Sequence, residues 1–362
     1  MNFRSMHLAL ILALAAISGA VGCGGGTSTA KSPTPGVSGV HSAYVANSAA
    51  GTISEYAIDT SGVLHEITGS SPFKLASNPT KLIMTPDGNF LYAIDPSKNT
   101  IYSMSINSST GVLTLVNTQT SGATPAALAI DPKSKFLYVG NGGANNISVY
   151  SIGSDGKLTE TAFSPVAVNG PVQGVTTSAK GTYLFASVPS TGVIYQFAMD
   201  ASTGALTAKA GSPMAVGTSP TYVAVSPDES FAIVLGADSA LNRLNIDPTT
   251  GALTVANFSP FIGGTQPLVA FVDSSNLYVY ILNRTSNSVT TVAFQTNGAP
   301  YQLSKAGTGT NPTWMAVSGA YLYVTNQDAN SVTGYSVAAG VLTLASTGSV
   351  ATGTTPTSIA VR

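Results

Sequence analysis

The sequence has little charge, a single cysteine and three histidines, and each shortage excludes a class of function. Only 8% of the 362 residues are charged and the formal net charge is −1. Because there is also no run of Lys or Arg, we expect no nucleic-acid partner. The lone Cys23 excludes an intramolecular disulfide, a CxxC metal site and a CxxCH haem attachment. With only His7, His41 and His65 available, no metal cluster is visible, and we expect neither metal nor cofactor.

The chain also lacks long apolar stretches at helical spacing and the short motifs of common enzymes. There is no GxSxG, no HExxH and no phosphate-binding loop, since the glycine run at position 24 follows no strand. Hydrophobic residues make up 44% of the chain, and Val, Ile, Thr and Tyr alternate with clusters of Gly, Asn and Ser. This pattern is typical of an all-β domain. So few charges favour sheets that are buried on both faces.

The N-terminal segment is typical of an exported lipoprotein. Arg4 precedes an apolar stretch at 8–21, which is shorter than the ~20 residues of a spanning helix. The letters AVGC at 20–23 resemble a bacterial lipobox, so residues 1–22 are predicted to be a signal peptide and Cys23 to be lipidated. Residues 23–40, rich in Gly, Ser, Thr and Pro, are predicted to form a flexible tether. We expect an envelope protein that touches the membrane only through this anchor, in the outer membrane if the cell is diderm. Plain secretion is the alternative.

Residues 41–362 contain a repeat that occurs seven times. A proline opens a short apolar strand at intervals of 44 to 49 residues: Pro79, Pro125, Pro171, Pro220, Pro267, Pro312 and Pro356. A second strand recurs as AYVAN at 43, LYAID at 91, LYVGN at 137, LFASV at 184, AIVLG at 232, LYVYI at 277 and LYVTN at 322. A hairpin glycine recurs at Gly62, Gly111, Gly156, Gly204, Gly251, Gly298 and Gly340. A period of 40 to 50 residues with four short strands, a to d, predicts a propeller blade.

The two ends of the repeat region are out of phase. The first unit begins at strand b, with AYVAN, and the last ends after a lone strand a, TPTSIAVR. These two fragments complete one blade, which would close the ring without an exposed sheet edge. The sequence therefore predicts a seven-bladed β-propeller at 41–362 in which the C-terminal strand completes the N-terminal blade.

The repeat motifs also resemble a known family. TPDG at 85, SPDE at 226, LYVGN at 137 and LYVTN at 322 resemble the YVTN-repeat and lactonase-type seven-bladed propellers, which include 6-phosphogluconolactonase-like proteins. The resemblance covers about residues 43–362 and implies this fold and, as a family activity, hydrolysis of a sugar lactone. In lactonase relatives strand a often contains Gly-Pro-Arg-His, which places basic side chains at the channel rim. Here the residue two after each proline is never His: Lys81, Ala127, Gln173, Tyr222, Val269, Trp314 and Ser358.

The channel mouth is the predicted ligand site, because strand a begins and strand b ends at the same face. Strand a contributes Lys81, Gln173, Tyr222 and Trp314, and strand b contributes Asn47, Asp95, Asn141 and Asn326. In the other blades the equivalent strand-b position holds Val188, Gly236 and Ile281. Arg284, in a b–c loop, is a candidate cation at this face. Each group also has a structural interpretation: Asn and Asp favour turns at strand ends, Trp314 fills a channel wall, and Arg284 is a solvated loop charge.

Two functional hypotheses follow, and the absence of haem motifs and metal ligands disfavours a third, a redox or cofactor propeller. The preferred one is a binding module that holds a glycan, a peptide or a protein at the channel mouth, where Trp314 could stack on a sugar. The alternative is a lactonase-family hydrolase, in which Asp95 or Lys81 would have to replace the missing histidines.

Overall fold

Seven antiparallel sheets form a closed ring in the computed structural model, which describes residues 41–75, 77–217 and 219–362. The predicted all-β, seven-bladed propeller is therefore confirmed. The predicted signal peptide, Cys23 and the tether lie outside the described residues. No helix of the described residues is long and apolar enough to cross a membrane.

The first three blades are built from the following strands. Blade 1 contains β1 (His41–Asn47), β2 (Thr52–Ile58), β3 (Leu64–Glu66) and β4 (Phe73–Lys74). Blade 2 contains β5 (Lys81–Met84), β6 (Phe90–Asp95), β7 (Thr100–Ile106) and β8 (Leu113–Thr120). Blade 3 contains β9 (Pro125–Ile130), β10 (Phe136–Asn141), β11 (Asn146–Ile152), β12 (Leu158–Glu160) and β13 (Val166–Ala167).

The remaining blades follow the same order. Blade 4 contains β14 (Gly174–Thr177), β15 (Tyr183–Val188), β16 (Val193–Met199), β17 (Leu206–Ala208) and β18 (Met214–Ala215), with a 3₁₀ turn at Pro189–Thr191. Blade 5 contains β19 (Pro220–Val225), β20 (Phe231–Gly236), β21 (Ala240–Ile246), β22 (Leu253–Val255) and β23 (Phe261–Ile262). Blade 6 contains β24 (Pro267–Val272), β25 (Tyr278–Asn283), β26 (Ser288–Phe294) and β27 (Pro300–Gly307). Blade 7 contains β28 (Pro312–Ser318), β29 (Tyr321–Asn326), β30 (Ser331–Ala338) and β31 (Val341–Ala351), and β32 (Pro356–Val361) returns to blade 1.

The ring closes as the phase of the repeats predicts. β32 pairs antiparallel with β1, so that Tyr44 lies opposite Ala360 and Val45 opposite Ile359. The innermost strand of blade 1 thus comes from the C-terminus and its other strands from the beginning of the propeller. Seven apolar clusters, each between two neighbouring blades, form the core of the described residues.

The outer strand is interrupted in four blades. In blades 1, 3, 4 and 5 it breaks at a Ser-Pro pair with a cis peptide bond: Ser71-Pro72, Ser164-Pro165, Ser212-Pro213 and Ser259-Pro260. Proline has no N–H for the ladder, and in each case the serine hydroxyl accepts a hydrogen bond from a strand-c N–H. The donor–acceptor distances lie between 2.9 and 3.1 Å. Blades 2, 6 and 7 lack this pair and have an unbroken outer strand.

The aromatic marker of strand b joins neighbouring blades. The hydroxyl of Tyr44 donates to the carbonyl of Gly111 at 2.6 Å, and that of Tyr92 donates to Gly156 at 3.0 Å. The same contact joins Tyr138 to Gly204 and, across the closure, Tyr323 to Gly62. Each acceptor is a hairpin glycine with positive φ, as the αL position of such a loop requires. Two of the sequence markers, the strand-b tyrosine and the hairpin glycine, are therefore the donor and the acceptor of one interblade hydrogen bond.

Candidate functional site

Three side chains of strand a meet in the central channel. Each lies two residues after the proline of its repeat, and we call this place the variable position of strand a. The ammonium of Lys81, in blade 2, lies 3.8 Å from the ring centroid of Trp314, in blade 7. The ring of Tyr222, in blade 5, packs edge-on against Trp314 with the centroids 5.9 Å apart. No two of these three blades are neighbours in the ring, so the contacts between them must cross the channel. We call Lys81, Tyr222 and Trp314 the channel cluster.

Among the described residues, no opposite charge pairs with the Lys81 amine. All three members of the channel cluster are half-buried, and within the described residues Lys81 makes no hydrogen bond or ion pair, only the contact with Trp314. Burial disfavours the charged form of an amine and lowers the pKa of Lys81 to about 8. Burial also raises the pKa of Tyr222, so its hydroxyl keeps its proton at neutral pH. The channel therefore holds an amine that is readily deprotonated and, against the same indole ring, a phenol that can donate.

The residues at the variable position of the other four blades have different surroundings. Gln173 is exposed, whereas Ala127 and Val269 are buried between blades. The buried hydroxyl of Ser358 accepts a hydrogen bond from the N–H of Leu82 at 3.1 Å and so ties blade 1 to blade 2. Of the four predicted strand-a site residues, the structure brings three together and leaves Gln173 apart from them.

The predicted strand-b residues Asn47, Asn141 and Asn326 have no exposed surface. The amide nitrogen of Asn47 donates to Ser54 at 2.9 Å, and that of Asn141 donates to Ser148 at 2.9 Å. Asn326 likewise donates to Thr333 at 2.8 Å. These bonds join strands b and c of one blade, so the structure supports a structural role and presents none of the three amides to the mouth. Their part in ligand binding stays a prediction.

A fourth asparagine of this kind was missed. The sequence alignment put Ile281 at this position of blade 6, but Pro267 lies opposite Asn283, just as Pro125 lies opposite Asn141. Asn283 is buried and donates to Thr290 at 3.0 Å. The alignment was wrong by two residues because it was anchored on Tyr278 instead of Tyr280, which occupies the place of the strand-b tyrosines. The ring of Asn and Asp thus spans five consecutive blades, from blade 6 to blade 3.

Asp95 occupies the asparagine position in blade 2. It is buried, and its carboxylate accepts hydrogen bonds from the N–H and hydroxyl of Ser97 at 2.8 and 2.6 Å and from the N–H of Asn78 at 3.2 Å. Burial alone would raise the pKa of Asp95, but these hydrogen bonds outweigh it and hold the pKa below its usual value. A carboxylate so well satisfied is a weak base. Asp95 is therefore a poorer replacement for a catalytic histidine than Lys81.

An open cavity lies at the mouth between blades 1 and 2. Its volume is about 320 Å³, at the lower end of the range for small-molecule sites. Five of its seven lining residues carry a polar side chain, and the lining consists of Ser48, Ala49, Asn78, Thr80, Asp95, Pro96 and Ser97. Thr80 directly precedes Lys81 in the chain, so this cavity adjoins the strand that supplies the channel amine.

Arg284 lies at the same face, on the side of blades 6 and 7. Its Nε donates to the side-chain oxygen of Asn311 at 2.6 Å, and its Nη2 contacts that of Gln327 at 3.4 Å. Both acceptors are neutral amides, so Arg284 is held in place without losing its charge. Neither His41 nor His65 is near this face: His65 lies in the outer β3 and bonds Asp59, and His41 bonds the carbonyl of Arg362. Across residues 41–75, 77–217 and 219–362, no group of three His, Cys, Asp or Glu side chains could hold a metal ion.

Part of the chain is similar in sequence to known proteins. Residues 175–306, which cover blades 4 to 6, match the family model "Lactonase, 7-bladed beta-propeller". The resemblance to lactonase-type propellers is confirmed. A 6-phosphogluconolactonase of Formosa agariphila is 34% identical over 112 residues, and one of Sodalis glossinidius is 30% identical over 118 residues. Each match covers 30% of this chain and only 32% and 35% of the respective relative.

Solved structures extend the likeness to nearly the whole propeller. A structure from Bacteroides fragilis superposes with a TM-score of 0.75 at 21% identity and covers 91% of this chain and 100% of its own. The periplasmic gluconolactonase of Pseudomonas aeruginosa superposes with a TM-score of 0.72 at 20% identity, over 89% and 99% of the two chains. At this identity the likeness shows the fold. Lys81 and Trp314 lie outside the segment that matches the family model, whereas Tyr222 lies inside it.

Proposed function

We propose that this lactonase-type propeller hydrolyses a sugar lactone at the channel mouth, with Lys81 as the general base. The observation that carries the proposal is the half-buried amine of Lys81, which has no carboxylate beside it in the described residues. The curated relatives support the hydrolase hypothesis over the preferred binding module, since their names describe lactonases.

The pKa of Lys81 fits this role at neutral to mildly alkaline pH. A general base works best when its pKa lies near the working pH, and that of Lys81 is about 8. At pH 7 about a tenth of the molecules would carry the neutral amine, and at pH 8 about half. An exposed lysine with an ordinary pKa would supply far less of the basic form.

The reaction can be written with this chain's residues alone. The neutral amine of Lys81 takes a proton from a water molecule whose oxygen attacks the lactone carbonyl carbon. The tetrahedral intermediate then expels the ring oxygen, which takes the proton back from Lys81 and leaves as a hydroxyl group. The product is the open hydroxy acid, and the amine is regenerated.

The aromatic members of the channel cluster would hold the substrate. The indole of Trp314 offers an apolar face to the C–H groups of a sugar ring, an arrangement aromatic side chains favour. The protonated hydroxyl of Tyr222 is a donor for the oxygen that gains charge in the tetrahedral intermediate. Hydroxyl and amide groups of the mouth cavity would bind the sugar hydroxyls.

Hydrolysis of glucono-δ-lactone by the full-length protein tests the proposal. Proton release above the uncatalysed rate should be lost by at least about 100-fold in Lys81→Met, because general bases contribute that much or more. Lys209→Met is the matched control, since Lys209 directly follows the outer strand β17 and lies 6.0 Å from the ring centroid of Tyr183, far from the channel. We expect that variant to keep full activity.

Two results would count against hydrolysis by Lys81. Wild-type protein that does not exceed the uncatalysed rate over a panel of aldonolactones, yet binds a sugar or a glycan, would return the binding module to first place. A Lys81→Met variant that folds and hydrolyses lactone normally would remove Lys81 from the mechanism.

We also propose that the protein is exported and anchored through a lipid on Cys23, with residues 23–40 as the tether. The support is the order of charged, apolar and small residues at 1–22. In cells, Cys23→Ser should abolish labelling by a radioactive fatty acid and move the protein from the membrane fraction to the soluble fraction. Unchanged fractionation without any fatty-acid label would contradict the anchor.

A further inference from the structure

We infer that Lys81 is also a nucleophile, and that sugar lactones entering the channel acylate its amine to give an amide that inactivates the protein. The inference rests on the proposed function only for where the lactone binds. The reactive group itself is defined by the geometry of the channel cluster.

Two other lysines differ from Lys81 in what holds them. Lys157 pairs with Asp155 at 2.8 Å, and Lys180 donates to the carbonyl of Asp228 at 2.7 Å. Lys81 has neither kind of partner within the part of the chain that the structure describes. Because no acceptor occupies its hydrogens, deprotonation leaves the nitrogen lone pair free to attack.

The surroundings of Lys81 also favour its neutral form. Its aliphatic stem and amine lie inside the channel, where a full ammonium loses hydration, and the indole of Trp314 replaces only part of that hydration. A lactone that stacks on Trp314 in place of the amine would still hold its carbonyl carbon near that amine, because the Lys81 side chain ends at the same ring. Proximity of this kind converts a slow bimolecular reaction into a fast one.

The step balances without any co-reactant. The nitrogen lone pair forms a bond to the lactone carbonyl carbon, and the ring C–O bond breaks. The departing ring oxygen takes the proton that the amine loses and becomes a hydroxyl group. All atoms of the lactone stay on the protein, and the product amide carries no charge and cannot act as a base.

Hydrolysis and acylation would compete at one amine. When a water molecule lies between Lys81 and the carbonyl, the amine removes its proton and hydrolysis follows. When the lactone binds against the amine without that water, the nitrogen attacks directly. Each acylated molecule would be withdrawn from further turnover, so activity should decline with exposure to lactone.

Mass spectrometry of the full-length protein tests the inference. After incubation with glucono-δ-lactone at pH 8, we expect one gluconoyl adduct, mapped to the peptide that contains Lys81, and at least about tenfold less at pH 6, where the neutral amine is scarce. Lys81→Arg should carry no adduct at this peptide. Lys209→Arg, the matched control, should be labelled at Lys81 as fast as wild type.

The outcomes separate the inference from the proposed function. An adduct on Lys81 without enzymatic hydrolysis would support acylation and overturn the hydrolase. Hydrolysis without an adduct on Lys81 would overturn acylation alone. Adducts spread evenly over the exposed lysines would also overturn it, provided that circular dichroism shows a folded protein.

Discussion

The blade interfaces and the central channel follow opposite rules. At the interfaces the same residue types recur: a strand-b tyrosine donates to a hairpin glycine of the next blade, as Tyr44 does to Gly111. In the channel the equivalent residues of strand a differ in every blade, and the three largest, Lys81, Tyr222 and Trp314, meet across the ring. The repeated contacts stabilise the fold, whereas the channel contains an amine whose burial costs stability. Such a cost is typical of functional sites.

The largest effect is expected when the strand that closes the ring is removed. Deletion of residues 355–362 takes β32 from blade 1 and exposes the edge of β1 together with the adjacent apolar clusters. We expect loss of cooperative thermal unfolding, or aggregation, as followed by circular dichroism and light scattering. Arg362→Ala, which keeps the strand, should melt within a few degrees of wild type. A truncated protein with an unchanged melting temperature would contradict the closure.

Substitution of Lys81 in the channel should stabilise the protein, whereas deletion of β32 should destabilise it. The folded-state pKa of Lys81 is about 8, below the 10.5 of an unburied lysine, so between these values the unfolded chain binds more protons than the folded one. The penalty that Lys81 imposes on the free energy of unfolding should therefore be fully present below pH 8 and disappear as the pH rises to 10.5. Lys81→Met should be more stable at pH 7, by up to about 3 kcal/mol, and the gain should vanish near pH 10.5.

Urea denaturation at pH 7 and pH 10 measures this difference. Lys81→Arg serves as the control, because an arginine cannot deprotonate in this range and should be no more stable than wild type. If Lys81→Met were less stable than wild type at pH 7, the contact with Trp314 would be a structural element and the contrast between channel and interfaces would fail.

A smaller effect is expected where a glycine covers a buried asparagine. A Cβ on Gly122 would lie 2.5 Å from the amide nitrogen of Asn141, so Gly122→Ala must displace a side chain that joins strands b and c. We expect a loss of about 2 kcal/mol in the free energy of unfolding, as for other overpacked sites. Gly307→Ala, where an added Cβ meets nothing within 4 Å, should change it by less than about 0.5 kcal/mol. Equal effects of the two substitutions would argue against this role of Gly122.

The smallest effect should come from a single interblade hydroxyl. Tyr44→Phe leaves the carbonyl of Gly111 without its 2.6 Å hydrogen bond, which should cost about 1 kcal/mol. Tyr280→Phe is the matched control, because Tyr280 occupies the same position of blade 6 and its hydroxyl makes no hydrogen bond within the described chain. Chemical denaturation should resolve the two variants. Equal losses would show that the hydroxyl contact contributes nothing specific to the interface.

Much of the fold was predictable because it repeats. Seven prolines, seven strand-b motifs and seven hairpin glycines defined the blades, and the phase of the ends predicted that β32 joins β1. The alignment failed only where the pattern was degenerate, in the run from Leu277 to Asn283, where several apolar residues fit a strand equally well. The breaks of the outer strand at Ser-Pro pairs were visible in the sequence but became meaningful only once the serine hydroxyls were seen to accept the strand-c hydrogen bonds.

The sequence by itself determined the number of blades, their order, the closure by the C-terminal strand and the position at which the channel varies, because each depends on local periodicity along one chain. Only the tertiary structure decided which variable residues act together. Lys81, Tyr222 and Trp314 are separated by more than 90 residues and come from blades 2, 5 and 7, so their meeting depends on the diameter of the ring and on side-chain direction. The tertiary structure also decided that Asn47, Asn141 and Asn326 are buried within their own blades, because nearby glycines allow the backbone to cover them.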